Sequence, residues 1–213
     1  MQKYTHIIWD WNGTLKNDAK ICMDITNDLL QQRKKPALTL ETYQKYFNFP
    51  VKGYYEKIGL DFASEPFEAL ANEFMANYDK RSEECKLQSN AALVVKEFAE
   101  KAISQSVLSA RKQAQLEQSL AFYDLRQYFQ HVVGLSDHYA NSKVDNGKKL
   151  VAAINAPTDK MMMIGDTTHD FEVAQAIGVD CVLFTGGHQS KERLLSCGTP
   201  VVENLTDLLS IIL

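Results

Sequence analysis

The stretch Tyr4-Thr5-His6-Ile7-Ile8-Trp9-Asp10-Trp11-Asn12-Gly13-Thr14-Leu15 decides the architecture of this chain. Its isoleucines and aromatic residues favour a pleated, buried strand over 4–9, and Gly13 marks the abrupt turn that ends it. Asp10 therefore stands at the carboxyl end of a strand. In an open parallel sheet that edge is where the connecting loops splay apart and leave a crevice for ligands. The run Met161-Met162-Met163-Ile164 has the same form, with Gly165 as the turn, Asp166 as the first residue past it and Asp170 four further on. If the two strands are neighbours, Asp10 and Asp166 converge. Two carboxylates at short range repel unless a cation lies between them, and oxygen ligands with open positions suit Mg²⁺.

The rest of the chain supplies the sheet that this reading needs. From residue 90 onward helical patterns alternate with short apolar runs, and strands are expected over 103–109, 131–134, 160–164 and 180–184. Such alternation predicts an α/β fold, a doubly wound Rossmann-like parallel sheet with helices on both faces. Residues 18–86 read differently. Asp18 is placed to cap a helix running to 34, Pro36 stops it, and Thr39 caps another. Within 64–84, Phe67, Leu70, Ala71, Phe74, Met75 and Tyr78 recur at spacings of three and four and form one apolar stripe. The expected organisation is an α/β core of 1–17 and 87–213 interrupted by a helical unit at 18–86.

Composition excludes several functions. A net charge of −4 with scattered basic residues offers no field to attract nucleic acid. Cys22, Cys85, Cys181 and Cys197 are too dispersed for a zinc or redox pair, which fits reduced thiols in a cytoplasm. No apolar run approaches the ~20 residues that span a bilayer, and Asp10 and Asn12 break the N-terminal one, so a soluble cytoplasmic protein with no membrane partner is expected. The sequence leaves the oligomeric state open.

Taken together, the motifs resemble those of the haloacid dehalogenase superfamily, mostly phosphatases, whose first motif is Asp-x-Asp-x-Thr after a strand. Here it reads Asp10-Trp11-Asn12-Gly13-Thr14. Ser109, closing Ile103-Ser104-Gln105-Ser106-Val107-Leu108-Ser109, is similar to the second motif, and Lys143 in Asn141-Ser142-Lys143-Val144-Asp145 to the third, without its usual following proline. Gly165, Asp166 and Asp170 match the fourth, Gly-Asp-x-x-x-Asp. The branch most resembled is the phosphoglycolate phosphatase-like one, with an α-helical cap over the catalytic loop. The resemblance implies a phosphatase acting on a small phosphorylated metabolite. Asp10 would be the nucleophile, Mg²⁺ would sit among Asp10, the Asn12 carbonyl, Asp166 and Asp170, and Gly13, Ser109, Ala110 and Lys143 would contact the phosphate. It also implies that Asp170 holds a metal-bound water or orients Lys143.

One departure matters more than the others. Where phosphatases of the family carry an aspartate as general acid and base, this chain has Asn12. An amide neither gives a proton to a leaving alkoxide nor takes one from water, and such help is worth about 10²–10⁴-fold in rate. Two functions therefore compete: an Mg²⁺-dependent phosphatase with weakened acid–base catalysis, and a non-catalytic phospho-ligand binder or regulatory protein. Each motif also has a plainer reading. Ser109 read alone is a helix cap, Lys143 a surface lysine with Lys148 and Lys149 as rivals, and His169 a helix-start residue. Tyr43, Tyr46, Phe47, Phe49, Tyr54 and Tyr55 form either a substrate pocket or the core of the helical unit, with the core preferred. Gly186-Gly187-His188 reads as a loop near the site.

Overall fold

The computed structural model describes residues 3–135 and 143–213, so Asn141 and Ser142 of the third motif lie outside the described residues. The strands are β1 (His6–Trp9), β2 (Lys16–Asn17), β3 (Lys86–Leu87), β4 (Ser104–Lys112), β5 (His131–Leu135), β6 (Met161–Gly165), β7 (Asp180–Phe184) and β8 (Val201–Val202). The helices are α1 (Ala19–Gln32), α2 (Leu40–Tyr46), α3 (Val51–Lys57), α4 (Phe67–Arg81), α5 (Ala91–Glu100), α6 (Gln113–Phe122), α7 (Lys143–Ile154), α8 (Thr168–Ile177), α9 (Lys191–Leu195) and α10 (Asp207–Ile212).

Six strands form one parallel sheet in the order β5-β4-β1-β6-β7-β8. The two strands that lead into the acidic motifs lie at its centre. Every residue of β1 and β6 is buried, as continuous apolar runs require when helices cover both faces. On one face Ile7, Trp9 and Val107 pack with Val94 and Phe98 of α5, Leu116 and Leu120 of α6, and Leu208 and Ile212 of α10. On the other, Ile8, Met161 and Met163 pack with Leu150 of α7, Val173 and Ile177 of α8, and Leu194 of α9. His6 pairs with Met161 and Trp9 with Ile164, and the Asp10 amide donates to the Ile164 carbonyl at 2.8 Å. That register sets the first and fourth motifs side by side at one sheet edge.

Helices α1 to α4 fall between β2 and β3, which pair as a separate antiparallel ribbon. They have a core of their own, in which Ile25 and Leu29 meet Tyr43, Tyr54, Leu70 and Tyr78. Arg33 staples this unit by reaching Glu65 at 2.7 Å and Glu73 at 2.8 Å.

Three local expectations are corrected. The strand expected to end at Ser109 continues to Lys112, because after an irregularity in register Lys112 pairs again with Leu135 of β5. The ribbon β2–β3 and the edge strand β8 were not foreseen, since two residues are too few to display a period. Asp18 occupies the N-cap position of α1 but makes no capping hydrogen bond; its carboxylate is used elsewhere. Thr39 does cap α2, accepting from the Thr42 amide at 3.1 Å. Among the described residues no helix is long and apolar enough to cross a membrane.

A pH dependence follows from β1. His6 is buried with its Nε2 2.8 Å from the Ser106 hydroxyl, and burial, reinforced by His131, pulls its pKa from 6.5 down to about 4. Between those values the unfolded chain binds a proton that the folded chain refuses, so stability falls as pH drops. The His6 contribution to that fall is about 2 kcal/mol between pH 7 and pH 5. Urea unfolding at the two pH values should show a slope that His6→Gln flattens; an unchanged slope would count against the assignment.

Candidate active site

Four segments meet at the carboxyl edge of the sheet. The turn after β1 brings Asp10 to Thr14, the end of β4 brings Ser109 to Arg111, the start of α7 brings Lys143, and the turn from β6 into α8 brings Asp166 to Asp170. Lys143 is buried, with its ammonium donating to Asp10 Oδ1 and, at 2.6 Å, to Asp170 Oδ1. Lys148 and Lys149 are exposed. The other Asp170 oxygen accepts from the Thr167 hydroxyl at 2.7 Å and from the Thr167 and Asp166 amides at 3.0 and 3.2 Å. This is the capping box of α8, so one aspartate both starts the helix and fixes the lysine. Thr14 Oγ1 donates to Asp166 Oδ1 at 2.8 Å and lies 3.5 Å from Asp10 Oδ2.

Close backbone approach encloses Asp166. Gly13 has φ +82°, and a Cβ there would fall 2.3 Å from Asp166 Oδ2, so glycine alone satisfies both the turn and the space. The His188 amide donates to the same oxygen at 2.7 Å.

The electrostatics are those of crowded acids. Burial pushes the Asp10 carboxyl up, against the pull of Lys143 and with the help of Asp170 and Asp166. Burial likewise raises Asp166, to about 6. For Asp170 burial acts upward too, but Lys143 and the Thr167 donors hold it below the usual carboxylate range. Asp10, Asp166 and Asp170 each offer an oxygen within 4.8 Å of the others, all three buried. Three carboxylates thus face one ammonium, and a small divalent cation taking hard oxygen ligands fits that unbalanced negative charge.

Beside these groups lies a network that the sequence did not signal. The Asn12 side-chain amide donates to Asp18 Oδ2 at 2.5 Å and to the Tyr78 hydroxyl at 2.6 Å, and Tyr78 in turn donates to Asp18 at 2.5 Å. The Gly13 amide donates to Asp18 Oδ1 at 2.8 Å, and His188 Nε2 sits 3.2 Å from that oxygen. The other ring nitrogen of His188 meets the Tyr43 hydroxyl at 2.8 Å. Burial works against a charge on Asp18, yet His188 and the hydrogen bonds hold its carboxyl far below the ordinary value. Burial would lower His188, but Asp18 and Asp166 raise it to about 9. Asp18, read from sequence only as a helix cap, is the hub that ties α1 and α4 to the turn after β1.

The site opens into a cavity of about 700 Å³. Ser109, Ala110, Asp10, Asn12, Lys143, Asp166 and Asp170 all line it. Ser109 is no helix cap, because α6 begins at Gln113; its hydroxyl instead accepts from the Arg111 amide at 3.2 Å. His169 is indeed at the start of α8, its ring 5.2 Å from Phe49. The aromatic cluster of the helical unit does both things considered for it. Tyr43, Phe47, Tyr54 and Tyr55 belong to that unit's core and also face the cavity, joined there by Phe49 and by Phe67, Ala71, Phe74, Met75 and Tyr78 of the α4 stripe.

Residues 7–184 match the family model for haloacid dehalogenase-like hydrolases. Among curated relatives, PpaX of Caldanaerobacter subterraneus subsp. tengcongensis, named as a candidate pyrophosphatase, is 20% identical over 84% of this chain and 81% of its own length. The tyrosine-protein kinase PtkA of Mycobacterium tuberculosis is 22% identical over 92% of this chain and 67% of its own. Among solved structures, a haloacid dehalogenase-like family hydrolase from Streptococcus pneumoniae superposes with a TM-score of 0.85, 16% identity and full coverage of both chains.

Proposed function

This chain belongs to the haloacid dehalogenase-like hydrolases, and on that premise we propose that it is an Mg²⁺-dependent phosphatase that hydrolyses a small phosphomonoester through an aspartyl phosphate on Asp10. The observation that carries the reading is the buried placement of Lys143 against both Asp10 and Asp170, lining a cavity large enough for a metabolite. A lysine so placed orients the Asp10 carboxylate and pulls it toward the ionised form against the effect of burial, and would hold a phosphate oxygen brought against it. The Ser109 hydroxyl and the Ala110 amide are the further phosphate contacts in this scheme, whereas the Gly13 amide is already given to Asp18 Oδ1. Asp10, Asp166 and the Asn12 carbonyl would hold Mg²⁺, which when bound offsets the repulsion between a carboxylate and a phosphate dianion. Of the two roles considered for Asp170, the hydrogen bonds favour fixing Lys143, since both its oxygens already have donors. Residues 18–86 act as the cap, excluding water and selecting the substrate.

Asn12 favours the competing reading, a phospho-ligand binder without turnover. Acetyl phosphate separates the two because its leaving group needs little protonation. Hydrolysis should depend on Mg²⁺, fall to background on chelation and return on readdition, and rapid quench should trap a hydroxylamine-sensitive phosphoenzyme. Mg²⁺-dependent phosphate binding with neither turnover nor phosphoenzyme would favour the binder.

A further inference from the structure

We propose that the substrate is a phosphomonoester of an aromatic alcohol, its ring seated among the side chains of the helical unit. This rests on the phosphatase reading and specifies its leaving group.

Two observations carry it. The first is the wall of the cavity. From the carboxylates outward it is built by Phe47, Phe49, Tyr54, Phe67, Phe74 and Met75. Among the described lining residues Lys143 is engaged with Asp10 and Asp170 and His188 with Asp18, while Arg111 reaches Asp79 at 3.1 Å through one terminal nitrogen and keeps its buried Nε without a hydrogen-bond partner. The wall also includes Glu68. A second anionic group on the substrate, such as the carboxylate of phosphoglycolate, would have to share Arg111 with Asp79 and would be desolvated against an otherwise apolar, Glu68-bearing wall. A flat apolar ring meets the opposite situation, since the aromatic side chains of the wall offer it faces and edges to pack against.

The second observation is the state of the proton donors. Asn12 has no acidic proton, and the acid nearest to it, Asp18, accepts hydrogen bonds from Asn12, Tyr78 and the Gly13 amide and so stands as a carboxylate. His188, the imidazole beside it, has both ring nitrogens committed, to Asp18 and to the Tyr43 hydroxyl, so a leaving oxygen departs as an anion. A phenol, with a pKa of about 10, does so far more readily than an aliphatic alcohol, whose pKa lies close to the roughly 15.7 of water. In the balanced sequence an Asp10 oxygen bonds to phosphorus, and the ester P–O bond breaks with its electron pair leaving on the phenolate. The phenolate takes a proton from solvent. Water then attacks the acyl phosphate, the P–O bond to Asp10 breaks, and phenol and hydrogen phosphate are the products.

The test compares kcat/KM of the full chain with Mg²⁺ for phenyl phosphate, phosphoglycolate and acetyl phosphate. Phenyl phosphate should exceed phosphoglycolate by roughly tenfold or more, the selectivity that burying one ring supplies. Across substituted phenyl phosphates kcat should fall steeply as leaving-group pKa rises. Phe74→Lys should narrow the phenyl-to-glycolate ratio. Turnover of acetyl phosphate together with equal or better use of phosphoglycolate would overturn this assignment while the phosphatase reading stood. A flat leaving-group dependence would overturn it too. Absence of turnover with all three substrates would remove the phosphatase reading itself and this inference with it.

Discussion

Asp10→Asn should lower Mg²⁺-dependent hydrolysis of acetyl phosphate by at least about 10³-fold while the chain stays folded. The amide is nearly isosteric with the carboxylate but is not a nucleophile toward phosphorus, so the covalent route closes. The fold should tolerate the change because the substitution relieves as much as it breaks. It removes one of three mutually repelling buried acids, and Lys143 keeps Asp170 as a partner at 2.6 Å. Turnover under saturating Mg²⁺, read beside a thermal melt, checks both halves. A variant with full activity would refute the aspartyl-phosphate scheme, whereas one that fails to fold would shift the test to trapping the phosphoenzyme in the native chain.

Asn12→Asp should act in the opposite direction. The new carboxyl would stand where the Asn12 amide now lies 2.5 Å from Asp18 Oδ2, and two carboxylates at that distance share a proton. The pair then supplies what the native site lacks, a proton held near the leaving oxygen at neutral pH. We expect kcat toward an alkyl phosphate such as butyl phosphate to rise by about 10²-fold, with acetyl phosphate turnover changing much less. Loss of the two hydrogen bonds donated by Asn12 should lower stability by about 1–3 kcal/mol. An equal change with both substrates would mean that the residue at this position does not act through the leaving group.

How much of this was legible in the sequence depended on the length of the signal. The central strands were, because burial on both faces forces unbroken apolar runs such as Met161-Met162-Met163-Ile164, and with them came the meeting of Asp10 with Asp166. Lys143 and Ser109 were legible through resemblance and order, not through any local pattern. The Asp18, Tyr78 and His188 network was not. Its members come from three distant segments, and each has a sufficient local explanation: Asp18 as a cap, Tyr78 as part of an apolar stripe, His188 as a residue in a glycine-rich loop. Only the packing of α4 against the turn after β1 reveals that their polar ends converge. The double use of the aromatic cluster was hidden for a related reason, since a ring that packs on one side and faces open space on the other has the same spacing as one enclosed on both.

The tyrosine near the end of α4 has one more consequence. Because its hydroxyl lies between Asn12 and Asp18, an outward swing of that helix would strip one of two partners from the very amide that borders the nucleophile. If residues 18–86 serve as the proposed cap, admitting a molecule and wetting the reactive loop would then be a single mechanical event.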